Sequence, residues 1–378
     1  MKLLRRGVTE FPEPPGVDDP MRVVLLGPYP PPHGGVQTHL VALQRFLQAH
    51  GISCVAVNLT RFRRESVSEI RYPKSAWELM RLLLTLPADV LHLHFGGHLS
   101  LRLLALALFC SVLPGRRTVL TLHSGGYPSS PAGQSARRRT LRSLVLRRLD
   151  RIIAVNQEIA GVFRRFGVEA ARIRLIPPHA LDVQPADALT QPLLGFFATH
   201  RPVLVSVGGL EPEYDPPLQV GALEQFRTTH PDAGLILIGS GSLEHGLRSK
   251  IESSPFAAHV MLCGDVPHAM TLKVIAEADV LLRTTHYDGD SIAVREALDL
   301  GTPVVATDNG QRPEGVVLIP RSSVAALVAA VESVLADSHQ MHRLLPPALG
   351  NLEAVLAVYI ELLPPAARLA CDAAKERA

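Results

Sequence analysis

Two acids stand eight residues apart in the stretch HYDGDSIAVREALDLGTPVVATDNG, His286 to Gly310: Asp288 and Glu296. Apolar residues between them recur at helical spacing, which places Glu296 inside a helix and Asp288 on the loop that leads into it. From such a helix, Glu296 can accept two hydrogen bonds from a ribose diol, and Asp288 can accept from hydroxyls of a second sugar. The backbone amides of Gly289, Asp290 and Ser291 open that helix, where N–H groups can hold sugar or phosphate oxygens. The bland alternative makes Glu296 an ordinary helix acid and Asp288 an N-cap-like residue.

A second candidate is Gly34-Gly35 in GPYPPPHGG, where a first strand feeds a helix. Two glycines allow a ligand close to the backbone, and the helix N-terminus favours an anion, whereas a mere turn needs neither. His123, in TLHSGG, ends an internal strand and is expected to face a cleft. His92, His94 and His98 lie in LHLHFGGH. His92 and His94 share one face of a strand by its period of two. A histidine pair could begin a metal site, but no third ligand emerges from the spacing, so packed histidines are preferred and no metal is expected.

The elements that must position these residues repeat along the chain. With 378 residues, the protein is long for one domain and suits two. A hydrophobic content of 47% supports large cores, and a net charge of +3 gives no reason to expect nucleic acid as a partner. The four cysteines, Cys54, Cys110, Cys263 and Cys371, form no CxxC pair and read as small apolar residues in a reducing cytosol. Residues 1–20 lack a secretory apolar region and read as a loose, Pro-rich leader. The most apolar run, Leu103 to Pro114, falls well short of the roughly 20 residues that span a bilayer.

From Arg22 onward, short apolar runs (RVVLLG, SCVAVNL, DVLHLHF, TVLTLHS, RIIAVN) alternate with helical patterns. This is the mark of a parallel sheet built from strand-helix-strand units. Prolines interrupt the pattern between Ile176 and Pro192, and it restarts with PVLVSVG, GLILIGSG, VMLCGDV, ADVLLRTT and PVVATD. The expectation is α/β: two Rossmann-like, doubly wound domains facing across a cleft. Residues 21–184 form the first, 185–200 a linker and 201–338 the second, with 352–378 returning to the first. Neither domain carries GxGxxG after its first strand, which argues against NAD or FAD.

In this order and spacing, PPHGGVQTH, TLHS, DRIIAVNQEIAGVFRRFGVEAARIRLIPP, VLVSVGGLEPE and ADVLLRTTHYDGDSIAVREALDLGTPVVATD resemble the retaining glycosyltransferases of family 4, which have the GT-B fold. The resemblance runs from Met21 to about Leu363. It assigns the first domain to the acceptor, the second to a nucleotide-sugar donor, and the helix NLEAVLAVYIELL to a crossing back to the first. It identifies the acid segment with the family's E-x7-E, Asp288 taking the first acid's place. It implies Asp288 and His123 beside the reacting sugar, Glu296 on the ribose and Gly34-Gly35 against the phosphates. The leaving phosphate then assists the incoming hydroxyl, so no carboxylate nucleophile and no cofactor are needed.

One departure stands out. The family's diphosphate-binding Arg and Lys are replaced in GGLEPEYDPP by Gly209 and Tyr214, with Glu211, Glu213 and Asp215 nearby. Arg283, Arg295 and Arg312 are the candidate substitutes, with Arg283 and Arg295 placed in the donor site. A divalent metal on Asp288-Gly289-Asp290 is disfavoured, since DxD belongs to another glycosyltransferase fold. A non-catalytic glycan- or partner-binding protein, one with a non-nucleotide donor, and a sugar-nucleotide epimerase are the alternatives.

The segment SARRRTLRSLVLRRLDR carries Arg137, Arg138, Arg139, Arg142, Arg147 and Arg148, with Leu141, Leu144, Val145 and Leu149 at helical spacing. It reads as one helix with its apolar stripe on the sheet. Its arginines face water, or anionic headgroups near a glycan or lipid-linked acceptor. The expected setting is bacterial polysaccharide or glycolipid assembly, in the cytoplasm at the inner face of the plasma membrane.

Overall fold

The computed structural model describes residues 21–61, 64–178, 184–336 and 350–364. The leader at 1–20, the second domain's expected end at 338, Cys371 and the rest of the terminal segment beyond 364 lie outside them. Seven strands form the first sheet: β1 (Arg22–Gly27), β2 (Ser53–Asn58), β3 (Ile70–Arg71), β4 (Val90–Phe95), β5 (Arg117–Leu122), β6 (Arg151–Ala154) and β7 (Ile173–Leu175). Their order is β3-β2-β1-β4-β5-β6-β7, every pair parallel. The second sheet has β8 (Val203–Val207), β9 (Gly234–Ile238), β10 (Val260–Gly264), β11 (Val280–Arg283), β12 (Val304–Thr307) and β13 (Val316–Ile319). It runs β10-β9-β8-β11-β12-β13, again parallel.

The strands are nearly unbroken Val, Leu and Ile because helices cover both faces of each sheet. Along β1, Val24 and Leu26 enter one core while Val23 and Leu25 enter the other. The latter core also takes the helix Asn351–Leu362, whose Tyr359 hydroxyl lies 2.5 Å from His92 Nδ1 on β4. The last described helix therefore closes the first domain's core. In each sheet the strand order reverses once, between β1 and β4 and between β8 and β11. The crevice beyond the carboxyl ends of such strand pairs is where doubly wound folds bind ligands.

Three details depart from the sequence expectation. The supposed linker contains a helix, Gln191–Thr199, whose Leu193, Phe196 and Phe197 pack against Val203, Val205 and Ile236. Pro192 lies in its first turn, where proline starts a helix rather than breaking one. The basic segment is not helical throughout: a short helix, Pro131–Gln134, ends just before it, and within it only Leu141–Leu146 is helical. Thr140 restarts the chain as an N-cap by accepting from the Ser143 N–H. In consequence Val145 and Leu149 are buried, while Leu141 and Leu144 stand 57% and 60% exposed beside exposed arginines. Finally, the short strands β3, β7 and β13 were not expected. Among the described residues no helix is long and apolar enough to cross a membrane.

Candidate active site

The carboxyl ends of both sheets open onto one cleft of about 750 Å³. Strand β11 delivers Arg283 to it, the following loop delivers Asp288, Gly289 and Asp290, and the helix Ile292–Asp299 delivers Glu296. Ser291 is the N-cap of that helix, accepting from the Val294 N–H, so the loop ends at a fixed place.

Asp288 is clamped rather than solvated. Its Oδ2 accepts from Arg283 Nε at 2.9 Å and Nη2 at 2.8 Å, from Arg312 Nη1 at 3.1 Å and from Thr285 Oγ1 at 3.3 Å. Burial pushes its carboxyl up, but the two guanidiniums outweigh burial and hold its pKa below the usual carboxylate value. Two guanidiniums against one carboxylate leave the group with a net positive charge. Arg312 also bonds the Thr307 carbonyl and Thr285 Oγ1, and it does not line the cleft. Arg295 forms a bidentate pair with Asp290, 2.6 and 2.7 Å, and likewise stays out of the cleft wall. With Asp288 and Asp290 each committed to guanidinium partners, the DGD segment does not present a carboxylate pair for a metal.

Arg283 is different. It lines the cleft, donates from Nη1 to the Val207 carbonyl at 2.7 Å and lies 4.8 Å from the centroid of the Tyr214 ring. A Cβ at Gly208 would come within 2.9 Å of its Nη1 and 2.6 Å of the Tyr214 ring. Gly208 thus leaves the space that Arg283 uses, and Tyr214, which stands where the expected Lys would be, gives it a stacking face. Of the nearby acids, Glu211 is bound to Ser242, and Asp215 caps the helix Pro216–Phe226; Glu213 alone of the three lines the cleft.

Glu296, 3% exposed, receives His268 Nε2 at 2.6 Å, and both line the cleft. His268 opens the helix that follows β10 and was missed by the sequence reading. Its signal was position alone: a polar residue just beyond the carboxyl end of a strand.

The first domain's wall carries Gly34, Gly35, His123 and Gly125. Gly34 has extended backbone that any residue adopts, and a Cβ at Gly35 would meet Ile292 of the other domain at an ordinary 3.8 Å. What the pair provides is an unobstructed helix start: no side chain caps the helix Gly35–Ala49, and no acid occupies its first turn. His123 follows β5, as expected, and lines the cleft. Burial, then the neighbouring His39 and His92, pushes its pKa well below the ordinary value, so it is neutral at pH 7. His92 bonds Tyr359 and Thr121 inside the core, and His98 is exposed.

The two walls touch at both ends of the cleft. At one end, the His33 N–H donates to Asp265 Oδ1 at 2.9 Å. At the other, Asn156 Nδ2 donates to the Gly289 carbonyl at 2.5 Å, while its Oδ1 caps the helix Gln157–Arg165. A Cβ at Gly125 would sit 1.9 Å from the Asp288 carbonyl carbon, and one at Gly289 would sit 2.2 Å from the His123 carbonyl oxygen. Here backbone meets backbone, so only glycine fits on either side.

Residues 33–179 match the model for Glycosyltransferase Family 4, and residues 195–346 match that for Glycosyl transferases group 1. Glycogen synthase of Mycobacterium tuberculosis is 30% identical over 268 residues, 66% of this chain, and the chain spans 60% of that relative's length. The GDP-mannose-dependent alpha-(1-6)-phosphatidylinositol monomannoside mannosyltransferase of Mycolicibacterium smegmatis is 24% identical over 83% of this chain and 89% of its own. Among solved structures, WaaG, a glycosyltransferase involved in lipopolysaccharide biosynthesis, superposes with TM-score 0.64 at 15% identity, covering 89% of this chain and 99% of its own. Anabaena HepE in complex with UDP-glucose gives 0.62 at 14%, covering 94% and 100%. These likenesses establish the GT-B fold.

Proposed function

The chain belongs to the glycosyltransferases of the family 4 and group 1 type, and on that premise we propose that it moves a sugar from a nucleotide-sugar donor to a hydroxyl acceptor with retention at the anomeric carbon. The observation that carries this reading is Arg283. An anionic leaving group needs a cation in the cleft, and a guanidinium reaches it from β11 beside Gly208, which has no side chain to block it. HepE binds UDP-glucose, which favours a nucleoside diphosphate donor.

In this reading Glu296 accepts from the donor ribose, oriented by His268. Asp288 and His123 hold the reacting sugar, and the amides of Gly289, Asp290 and Ser291 take its oxygens or those of the phosphate. Arg283 faces the diphosphate, and the open helix start at Gly34-Gly35 closes on it from the other side. The bond from the anomeric carbon to the phosphate oxygen breaks on the face where the acceptor oxygen bonds. The acceptor's proton passes to the departing phosphate, and no metal is required for these steps. Transfer, or donor hydrolysis, is expected to collapse in Glu296→Ala and in His123→Ala; unchanged turnover in both removes the assignment.

The acceptor is a glycan or a lipid-linked saccharide. The mannosyltransferase relative acts on a phosphatidylinositol mannoside, and this chain exposes Leu141 and Leu144 among Arg137, Arg138, Arg139, Arg147 and Arg148. Apolar side chains flanked by guanidiniums suit an anionic bilayer surface, which supports a reading of the protein at the inner face of the plasma membrane in polysaccharide or glycolipid assembly. Sedimentation with anionic vesicles, lost on Leu144→Asp or at high salt, checks the placement.

A glycan- or partner-binding protein without turnover is the competing reading. Among the described residues Arg283 is the one Arg or Lys lining the cleft, where the family resemblance implies two cations. Calorimetry with a panel of nucleotide sugars separates the two: micromolar binding of one supports the transferase.

A further inference from the structure

The first domain holds a side-chain cluster that the transfer reading does not use as a whole. His39 from the helix Gly35–Ala49, His94 from β4 and His123 from beyond β5 converge so that one nitrogen of each ring lies within 4.8 Å of the other two. Their ring centroids form a nearly equilateral triangle of 5.5, 5.3 and 5.5 Å. From this convergence we propose that His39, His94 and His123 are a three-histidine site for a divalent transition-metal ion of the zinc class. The proposal goes beyond the transferase reading and does not depend on it.

The distances fit such an ion. Nitrogens bound tetrahedrally at about 2.0–2.1 Å from zinc lie about 3.3 Å from one another. His94 Nδ1 and His123 Nε2 are already 3.2 Å apart. His39 is oriented through its other nitrogen, since Nδ1 lies 2.5 Å from the Pro178 carbonyl oxygen. Metal-bound histidines are fixed in this way, the non-ligating N–H donating to a carbonyl or carboxylate.

His94 supplies the second, independent sign. It is 1% exposed, and among the described residues its Nε2 has no hydrogen-bond partner. With Nδ1 facing His123 and Nε2 unpartnered, His94 has neither nitrogen held by a hydroxyl or a carbonyl among the described residues, in contrast to His92, so its ring is left to the cluster. Burial above all, and then the neighbouring imidazoles, pushes the pKa values of His94 and His123 well below the ordinary range.

His92, which shares a strand face with His94, is excluded. Both of its nitrogens are committed, to the Tyr359 hydroxyl and to Thr121 Oγ1. The ligands instead come from one helix, one strand and the residue just past the neighbouring strand, which is why spacing along the chain concealed them. Three imidazoles leave a fourth position for water or a substrate oxygen, the pattern of catalytic rather than structural zinc sites. Of the three ligands, His123 lines the cleft.

Tag-free protein, stripped with a chelator and dialysed, tests the site with Co2+ as a spectroscopic stand-in. The expected result is one equivalent bound with visible d–d absorption, displacement of that signal by Zn2+, and a thermal midpoint that rises with Zn2+. His39→Ala and His94→Ala are expected to lose the absorption, and His98→Ala, at an exposed histidine nearby, to keep it. Circular dichroism shows whether the variants fold, and His39→Gln provides a milder cut. Folded wild-type protein that takes up neither ion at micromolar concentration overturns the proposal, whatever the variants do. Equal binding by His94→Ala overturns it too, leaving a cluster of packed, hydrogen-bonded imidazoles.

Discussion

The two walls of the cleft are built on opposite principles. The second domain's wall is charged and tightly paired: Arg283, Asp288 and Arg312 form one buried group, and Glu296 and His268 another. On the first domain's wall stand glycines, a neutral His123 and an uncapped helix start. The difference teaches how the labour is divided. In the transferase reading, fixed charge for an anionic donor comes from one domain, while the other supplies shape, backbone dipoles and closure. The walls meet where His33 reaches Asp265, where Asn156 reaches Gly289 and in a glycine-to-backbone fit.

The sharpest way to break this comparison is Arg283→Ala. If the anion is held from the second domain, kcat/KM for donor falls by about 10²–10³-fold, the loss typical of one preorganised charge partner in a dry site. A fall of less than about threefold would move the anion to the helix start of the first domain. Arg283→Lys keeps the charge but loses the fork that grips Asp288 and the Val207 carbonyl, so it is expected to recover only part.

Asp288→Asn sharpens it through stability. Removing one charge from a buried group costs about 3–5 kcal/mol, because the remaining partners are left uncompensated. The pH dependence carries a definite sign. Asp288 has its pKa lowered by Arg283 and Arg312 against the opposing effect of burial. Its stabilisation is therefore complete above the unfolded carboxylate value near 3.9 and is lost as pH falls through the lower folded value. Urea midpoints of the wild type and of Asp288→Asn should differ most at neutral pH and converge below about pH 4. A gap that persists in acid would mean that the aspartate acts by shape, not charge.

The same contrast governs what the sequence disclosed. The charged wall is local: Arg283 to Glu296 is one strand, one loop and one helix, and the spacing of its acids sufficed to find it. Its pairing was not legible, because Arg312 returns from beyond β12 and His268 from beyond β10. Arg295 looked like a donor residue but turns to Asp290 five positions away. The neutral wall is assembled from distant pieces. Asn156 and Gly125 matter only because the other domain arrives against them, and the histidine triad joins residues 39, 94 and 123. Apolar runs revealed the long strands, whereas β3, of two residues, and the edge strands β7 and β13 bury too little to leave a pattern. Proline misled at Pro192, where it begins a helix rather than a linker.

Closure is tested next by Gly125→Ala. A Cβ there meets backbone of the opposing loop at 1.9 and 2.2 Å, which cannot yield, so the walls must part by about an ångström. Misplacement of that size costs up to about 10²-fold in turnover. Gly126→Ala serves as the control: its Cβ would meet the Tyr287 ring, an exposed side chain free to swing aside, and a much smaller loss is expected. Equal losses in single-turnover kinetics would show that the loop's flexibility, not the fit between the walls, is what matters.

At the other end of the cleft the expected effect is smallest. The His33 ring and the Asp265 carboxylate are each about one-third exposed, and an exposed pair contributes about 0.2–1 kcal/mol. His33→Ala should therefore lower kcat/KM by no more than about threefold to fivefold, less still at high salt, where charges are screened within about 3 Å at 1 M. The backbone N–H of residue 33 can still donate to Asp265 after that change, whereas Asp265→Ala removes both bonds. Asp265→Ala should accordingly exceed His33→Ala, and the excess should resist salt. If the two variants match at every ionic strength, the backbone bond contributes nothing, and the walls are held together only where Gly125 meets Asp288.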